Sequence, residues 1–350
     1  MIICTFDDRS TDIIGLQLLV ASLSRFVPQA PVYVACPAAD ALFEAWLARY
    51  PNVQFDKAER FRGKGWDVKP LLLKELLNAG HDEVIWMDSD IIVTGDFLKY
   101  LPNDRALVIA EEPAVTPYGL MQRVTGWKLQ QGRSIRGINS CLIRANSSHA
   151  LLIERWLELL RHPDYQNART LPFEKRLPHL LTDQDVLLAL MASTEFSDLP
   201  VHYLSAGRQI VQSHGMAGYS PLQRIRNLFT GVPCLVHSQG DKPWRARKPR
   251  SIVNPGEFFL QLHLETAPYA HFARGYRNAI EPFPTYLELR SLAARVSNLA
   301  AFGNPCLRGL SLAMAAAIAR RCRRMAGIAS RAAGRARRLW RHGHAASDGT

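Results

Sequence analysis

Apolar and polar residues alternate in two patterns along the first half of the chain. Short, continuously apolar runs predict buried strands, and longer stretches whose apolar residues recur at helical spacing predict helices. We predict strands at 2–6, 31–36, 52–56, 83–88 and 106–112, and helices at 11–26, 38–49 and 68–80. This alternation predicts an α/β fold in which a mostly parallel sheet is covered by helices on both faces.

The second half of the chain is less regular. Strands are predicted at 138–143, 201–205 and 233–238, and helices at 148–161 and 183–193. Segments 113–136 and 206–232 are predicted to be loops, each long enough to have a functional role. Beyond about residue 285 the composition changes to Ala, Leu, Ser and Arg. We therefore expect a folded domain at 1–285 and a basic amphipathic helical tail at 286–350.

The composition is that of a globular protein. Of 350 residues, 47% are hydrophobic and 21% are charged, which favours a sizeable core. No apolar run is long enough to span a membrane, and the opening MIICTFDD lacks the basic region of a signal peptide. The six scattered cysteines form no Cys-x-x-Cys pair, so we expect free thiols in a reducing cytoplasm and no zinc site.

The positive charge lies mainly at one end of the chain. The formal net charge is +12, and residues 290–350 contain twelve arginines and a single acidic residue, Asp348. The rest of the chain is almost neutral. The high isoelectric point therefore describes an appendage and carries no information about the chemistry of the folded domain.

The first candidate for chemistry is VIWMDSDIIV at 84–93. Asp88 and Asp90 follow an apolar strand, and strand alternation places both carboxylates on one side of the chain. Two hard oxygen ligands suit Mn²⁺ or Mg²⁺, ions that also bind a diphosphate. The alternative is a pair of acidic residues that cap a turn at the end of a strand.

The second candidate is CLVHSQGDKPW at 234–244. A strand ends at His237, and a neutral imidazole is a suitable third ligand for a transition-type cation. Gly240 allows a phosphate to approach the backbone closely, and Lys242 can neutralise its charge. The alternative is a histidine that is simply a hydrogen-bonded polar residue of the core.

Together, Asp-Ser-Asp after an apolar strand and a later His-x-x-Gly-x-Lys-Pro-Trp resemble the nucleotide-sugar transferases of the GT-A fold. The sequence is most similar to glycosyltransferase family 8, the group of glycogenin and the bacterial lipopolysaccharide galactosyl- and glucosyltransferases. The resemblance covers roughly residues 1–250. It implies that Asp88, Asp90 and His237 bind Mn²⁺ (or Mg²⁺), and that Gly240 and Lys242 hold the diphosphate.

The same resemblance implies further contacts with a nucleotide sugar. ICTFDD matches the family's first strand, so Thr5 and Asp7 are candidates for nucleotide binding. GINSCLI resembles the family's segment that contacts the donor sugar, which makes Asn139 a candidate contact. Ser89, between the two aspartates, is a further candidate for binding the nucleotide sugar. Lys69 begins a predicted helix, where a cation is unfavourable unless it faces an anion. It is therefore a candidate phosphate contact, with a solvated surface lysine as the alternative.

TDQD, at 182–185, has both a functional and a structural explanation. In the family an Asp-Gln-Asp helix start flanks the sugar, which makes Asp183 and Gln184 candidate catalytic residues. Thr182 and Asp185 also form a capping pattern that explains the segment without any function. The resemblance implies retention of configuration. Because no carboxylate stands out as a nucleophile, we expect the acceptor to attack on the face of the sugar from which the diphosphate leaves.

The tail supplies the last prediction. Residues 305–341 contain ten arginines among scattered apolar residues, a pattern typical of a helix that lies on an anionic membrane surface. A solvated, disordered tail is the alternative. Nucleic acid is not expected as a partner, because Trp340 is the only aromatic residue in this stretch.

These observations predict a cytoplasmic glycosyltransferase, free or peripheral on the inner face of the plasma membrane. It would transfer a hexose from UDP-glucose or UDP-galactose to a glycan or lipid-linked acceptor in polysaccharide or lipopolysaccharide synthesis. Two alternatives remain: a nucleotidyltransferase that makes sugar nucleotides, and a non-catalytic protein that binds polyanions or membranes. Against the former, no Gly-rich phosphate loop follows the first strand.

Overall fold

The protein is described from a computed structural model. The structure describes residues 1–9, 13–113, 115–245, 255–280, 283–284, 287–288, 291–322 and 325. The strands are β1 Ile2–Phe6, β2 Val32–Ala35, β3 Val53–Asp56, β4 Glu83–Met87, β5 Ile91–Val93, β6 Leu107–Glu111, β7 Ile138–Asn146, β8 Val201–Leu204, β9 Ile210–Gln212 and β10 Leu235–His237. The helices are α1 Ile14–Phe26, α2 Ala41–Leu47, α3 Val68–Asn78, α4 Pro117–Gly126, α5 Ala150–Arg161, α6 Pro163–Arg169, α7 Asp183–Met191, α8 Pro221–Thr230, α9 Pro255–Thr266, α10 Pro268–Ala273 and α11 Leu292–Ala300.

Seven strands form the central sheet, in the order β3-β2-β1-β4-β7-β6-β8. Every neighbouring pair is parallel except those of β7, which runs antiparallel to both β4 and β6. Apolar side chains fill both faces. One core is built from α1, α2, α10 and the short strands, and the other from α3, α4, α5 and α7. The predicted α/β fold with a mostly parallel, doubly covered sheet is confirmed.

A second, three-stranded sheet has the order β5-β10-β9. Its register pairs His237 with Ile91 on one side and with Gln212 on the other. β5 begins directly after Asp90. Its pairing with β10 therefore brings His237, at the end of β10, close to the end of β4. The small sheet is therefore what assembles the candidate site.

Two predicted loops were wrong in part. Segment 113–136 contains α4, and segment 206–232 contains α8 and the short strand β9. Both helices have ten residues with a proline in the first turn, and each begins at a capping residue, Thr116 and Ser220. Their capping signals were present in the sequence, and in α8 the residues Leu222, Ile225 and Phe229 recur at helical spacing. The prediction of loops overlooked both signals.

The region predicted as a tail begins by packing on the body. Residues 310–322 are helical, and the segment before them buries Cys306 and Arg308. The Arg308 guanidinium lies 2.7 Å from His271 Nδ1 and donates to the Glu265 carbonyl. Residues 323–324 and 326–350, the C-terminal part of the predicted membrane-binding tail, lie outside the described residues. In the described part of the chain, no helix is long and apolar enough to cross a membrane.

Candidate functional site

A cleft of about 570 Å³ opens at the carboxyl ends of the central strands. In open α/β sheets this edge is where ligands bind. Eleven of the predicted site residues line this cleft: Gly240 and Asp7, Lys69, Asp88, Ser89, Asp90, Asn139, Asp183, Gln184, His237 and Lys242. The sequence predictions, drawn from six separate segments, therefore converge on one place.

Asp88, Asp90 and His237 form the candidate metal centre. One ligand atom from each lies within 4.8 Å of the others, and His237 Nε2 is 3.3 Å from Asp90 Oδ1. The turn between β4 and β5 is closed by a hydrogen bond from the Ile91 amide to the Asp88 carbonyl. Two carboxylates and one imidazole are a donor set that fits Mn²⁺ or a similar divalent cation.

Two neighbours orient these ligands. Gln212 Oε1 lies 2.7 Å from His237 Nδ1, which leaves Nε2 facing Asp90. The indole of Trp86 donates to Asp88 Oδ1 at 2.7 Å. Partners of this kind fix the tautomer and direction of a metal ligand. Sequence analysis missed both: Trp86 stands two positions before Asp88 and was read as part of the strand, whereas Gln212 lies in a segment predicted to be a loop.

Cationic groups face the Asp90 carboxylate. Lys242 forms an ion pair with Asp90 and donates to the Ser238 carbonyl at 2.7 Å. Burial alone would raise the pKa of Asp90, but Lys242 and His237 hold it well below its usual value. Gly240 has φ +81°, a region that favours glycine, and the space beside its Cα is nearly open. The loop therefore places accessible backbone at Gly240 and the ammonium group of Lys242 beside the metal ligands.

Lys69 lies deeper than expected for a phosphate contact. Its Nζ is 3.1 Å from Asp88 Oδ1 and 3.4 Å from Asp183 Oδ2, and it donates to Ser140 Oγ at 2.8 Å. Burial would lower the pKa of Lys69, but the two carboxylates raise it above the ordinary value. The alternative of a solvated surface lysine is wrong, because the side chain is almost fully buried.

Asp183 and Gln184 open α7 at the side of the cleft. Thr182 caps the helix by accepting from the Asp185 amide, so the structural explanation of this segment holds. Burial raises the pKa of Asp183 to about 6 against the opposing effect of Lys69. Gln184 Oε1 accepts from the Ser140 amide at 3.2 Å, which ties the helix start to β7. Both candidate catalytic side chains line the cleft.

The candidate nucleotide contacts divide into two groups. Asp7 accepts from Ser89 Oγ at 2.9 Å and forms an ion pair with Arg9, and all three line the cleft. Thr5, by contrast, is fully buried within β1 and is not among the residues that line the cleft. Depth explains the difference, because Thr5 lies within β1 whereas Asp7 follows the last residue of that strand.

Asn139 is held at the back of the cleft. Its Nδ2 donates to Glu112 Oε2 at 3.3 Å, and its Oδ1 accepts from the Cys141 amide at 3.0 Å. The side chain is almost completely buried yet contributes to the lining. It is thus positioned by β7 and can meet a ligand only at the inner end of the cleft.

Comparison with known proteins gives likenesses in structure only. No family model and no curated protein matches the chain. The galactosyltransferase LgtC, solved with donor and acceptor sugar analogues, is similar at 16% identity over 80% of this chain and 100% of that chain, with a TM-score of 0.48. Mouse xyloside xylosyltransferase 1 is similar at 14% identity over 68% of this chain and 97% of that chain, with a TM-score of 0.43.

The bifunctional glycosyltransferase WbbM is similar at 13% identity over 70% of this chain, with a TM-score of 0.47. The match covers 47% of WbbM, so the chain spans about half the length of that protein. The names of all three proteins describe them as glycosyltransferases. Because identities and TM-scores are this low, we infer function from the residues of the cleft.

Proposed function

We propose that this chain is a glycosyltransferase that uses a divalent cation and a nucleotide sugar, UDP-glucose or UDP-galactose, as donor. The observation that carries the proposal is the convergence of Asp88, Asp90 and His237 with the Lys242 loop in one cleft. A carboxylate–imidazole centre beside the Lys242 ammonium suits a diphosphate, whose charge must be neutralised before it can leave.

A bound Mn²⁺ or Mg²⁺ would act as a Lewis acid toward the diphosphate. Asp88, Asp90 and His237 would hold that ion, with Gln212 fixing the imidazole. Lys242 would turn from Asp90 toward the phosphate oxygens. Because Lys242 pairs with Asp90 in the structure, its ammonium already lies beside a carboxylate that would hold the ion.

The donor would lie with its nucleotide near Asp7 and Ser89 and its sugar near Asn139 and Gln184. Asp183 is engaged by Lys69 and Ser140, which restrains it from acting as a free nucleophile. We therefore propose attack by the acceptor on the face from which the diphosphate leaves, with retention. An NMR spectrum of the product that showed an inverted linkage would overturn this part.

The acceptor is proposed to be a glycan or a lipid-linked glycan. The sequence of the tail favours the second, because arginines among apolar residues suit an anionic membrane surface. That would place a peripheral enzyme where polysaccharide or lipopolysaccharide precursors are made.

Thermal unfolding with UDP, with and without Mn²⁺, tests the donor site. A ligand that binds only the folded state at a hundredfold excess over its Kd adds about 2.7 kcal/mol to the free energy of unfolding. We expect UDP to raise the unfolding temperature only with Mn²⁺, and the Asp88→Asn and Asp90→Asn variants to lose the effect. Asp164→Asn, which alters an exposed carboxylate on α6, is the matched control and should retain it.

The outcomes are distinct. If another nucleotide stabilises the protein in place of UDP, the donor assignment falls and the metal site stands. If no nucleotide stabilises folded protein, or if Asp88→Asn responds like the parent, the proposed function is wrong.

A further inference from the structure

Outside the cleft, α8 presents an unusually apolar face to solvent. Leu222 is 80% exposed and Phe229 is 86% exposed, with Ile225 half-exposed between them. Positions 222, 225 and 229 lie on one side of a helix. The opposite side carries Arg224 and Asn227, which are buried. The polarity of this helix is therefore reversed, with polar residues inside and apolar residues outside.

A second set of exposed apolar side chains lies in the C-terminal part of the described chain, which contacts α8 through Arg224. The buried Arg224 guanidinium donates to the Cys306 carbonyl at 3.2 Å and to the Arg308 carbonyl at 2.6 Å. This holds α8 against the segment that joins α11 to the helix at 310–322. Exposed apolar side chains continue through this region: Leu292, Val296, Leu299, Phe302, Met314, Ile318 and Met325. We call α8 and these residues the apolar face.

The charge around the apolar face identifies its partner. No acidic residue occurs at 199–240, the stretch that contains α8, or at 289–347, which contains α11 and all that follows it up to Asp348. Arg320 and Arg321 are exposed at the end of the last described helix. A second copy of the chain would bring like charges together, which disfavours self-association. An anionic bilayer offers both an apolar layer and opposite charge.

We propose that the apolar face of α8 and α11 docks on an anionic lipid bilayer. The face would insert its leucine and phenylalanine side chains into the boundary between headgroups and acyl chains, while the arginines contact lipid phosphates. His214, which lines the cleft, lies seven residues before α8 begins at Pro221. Docking would thus bring the cleft near the membrane. The inference rests on the proposed function for its lipid-linked acceptor, but its evidence lies outside the cleft.

Co-sedimentation of the full chain with vesicles tests the inference. We expect binding to mixed phosphatidylcholine and phosphatidylglycerol vesicles, and little to phosphatidylcholine alone. The double variant Leu222→Ser with Phe229→Ser should bind about tenfold more weakly, because two large apolar groups no longer enter the bilayer. The matched control is Leu42→Ser with Leu151→Ser, which changes leucines on α2 and α5 that are 81% and 57% exposed. It should bind like the parent.

If the α8 variant binds vesicles as the parent does, the inference is wrong. The same holds if binding is lost only when residues 326–350 are deleted. Light scattering measures the oligomeric state of the parent and of the α8 variant. If the parent is a dimer and the variant a monomer, a second copy of the chain covers the apolar face and the inference is wrong. Stabilisation of the α8 variant by UDP and Mn²⁺ is measured in parallel. If no protein responds to UDP but vesicle binding follows the expectation, the proposed function fails and the inference stands.

Discussion

Lys69 connects the candidate site to the stability of the fold. Its ammonium is almost fully buried and lies between the carboxylates of Asp88 and Asp183. Removing one partner of a buried ion pair leaves an uncompensated charge, which is far more costly than losing an exposed pair. The lysine therefore compensates the negative charge of Asp183, whose pKa burial raises and Lys69 lowers.

The variant Lys69→Met should lower the free energy of unfolding by about 3–5 kcal/mol, because Asp183 then becomes an unpaired buried acid. Lys74→Met is the matched control on the same helix, since Lys74 pairs with Glu154 at the surface, and it should cost about 0–1 kcal/mol. Urea denaturation near neutral pH measures both. Equal losses in the two variants would show that Lys69 does not stabilise the buried acids.

Individual residues differ in how far the sequence predicts their place. Asp88 and Asp90 were identified because a short spacing at the end of a strand fixes their common side. His237 was found through its loop chemistry. The partners of Lys69, by contrast, come from β4, β7 and α7, and no local pattern encodes contacts between segments so far apart in the sequence. Thr5 was assigned through resemblance, and its burial depends on the packing of the whole sheet.

At the level of elements, the first turn of α1 packs unusually close to the site. A Cβ at Gly15 would lie 2.7 Å from Trp244 Cζ2 and 2.9 Å from the Ser89 carbonyl oxygen. Trp244 is fully buried, and Ser89 separates the two aspartates. Glycine at this position therefore lets the helix, the β4–β5 turn and the Lys242 loop meet.

Gly15→Ala should destabilise the protein by about 1–3 kcal/mol, since overpacking outweighs the roughly 1 kcal/mol that alanine gains in a helix. It should also weaken the stabilisation by UDP and Mn²⁺, because the clash displaces the metal-site turn. Gly275→Ala is the control, as no atom lies within 4 Å of its added Cβ. Thermal unfolding with and without ligand compares the two variants, and a parent-like response of Gly15→Ala would refute the expected clash.

The elements that the sequence predicted are those whose patterns are long enough to carry a period. The strands of the central sheet and helices such as α1, α3 and α5 fall in this class. Strands β5 and β9 have only three residues each, and their pairing with β10 depends on tertiary contacts. The antiparallel direction of β7 has the same origin. The connection that assembles the site was thus the part least accessible to sequence analysis.

For the whole molecule, buried neutral histidines couple folding to pH. His149, at the junction of β7 and α5, is almost completely buried, and its Nδ1 accepts from the Asn146 amide at 3.0 Å. Burial lowers its pKa from 6.5 to about 4, and the nearby Arg144 and Arg105 act in the same direction. His263, on α9, has its pKa lowered by burial to about 4 as well.

The sign of the resulting pH dependence follows from proton uptake. Between about pH 6.5 and about pH 4, each of these histidines binds a proton in the unfolded chain but not in the folded protein. The free energy of unfolding therefore falls as the pH falls, by at most about 1.4 kcal/mol per pH unit for each histidine. His149→Asn removes one titrating group and should therefore reduce the loss of stability between about pH 7 and about pH 5 by about 2 kcal/mol. His81→Asn, which changes a histidine that is only partly buried, serves as the control for the substitution itself. Urea denaturation at both pH values gives the difference directly, and an undiminished loss in His149→Asn would mean that His149 is not held neutral by burial.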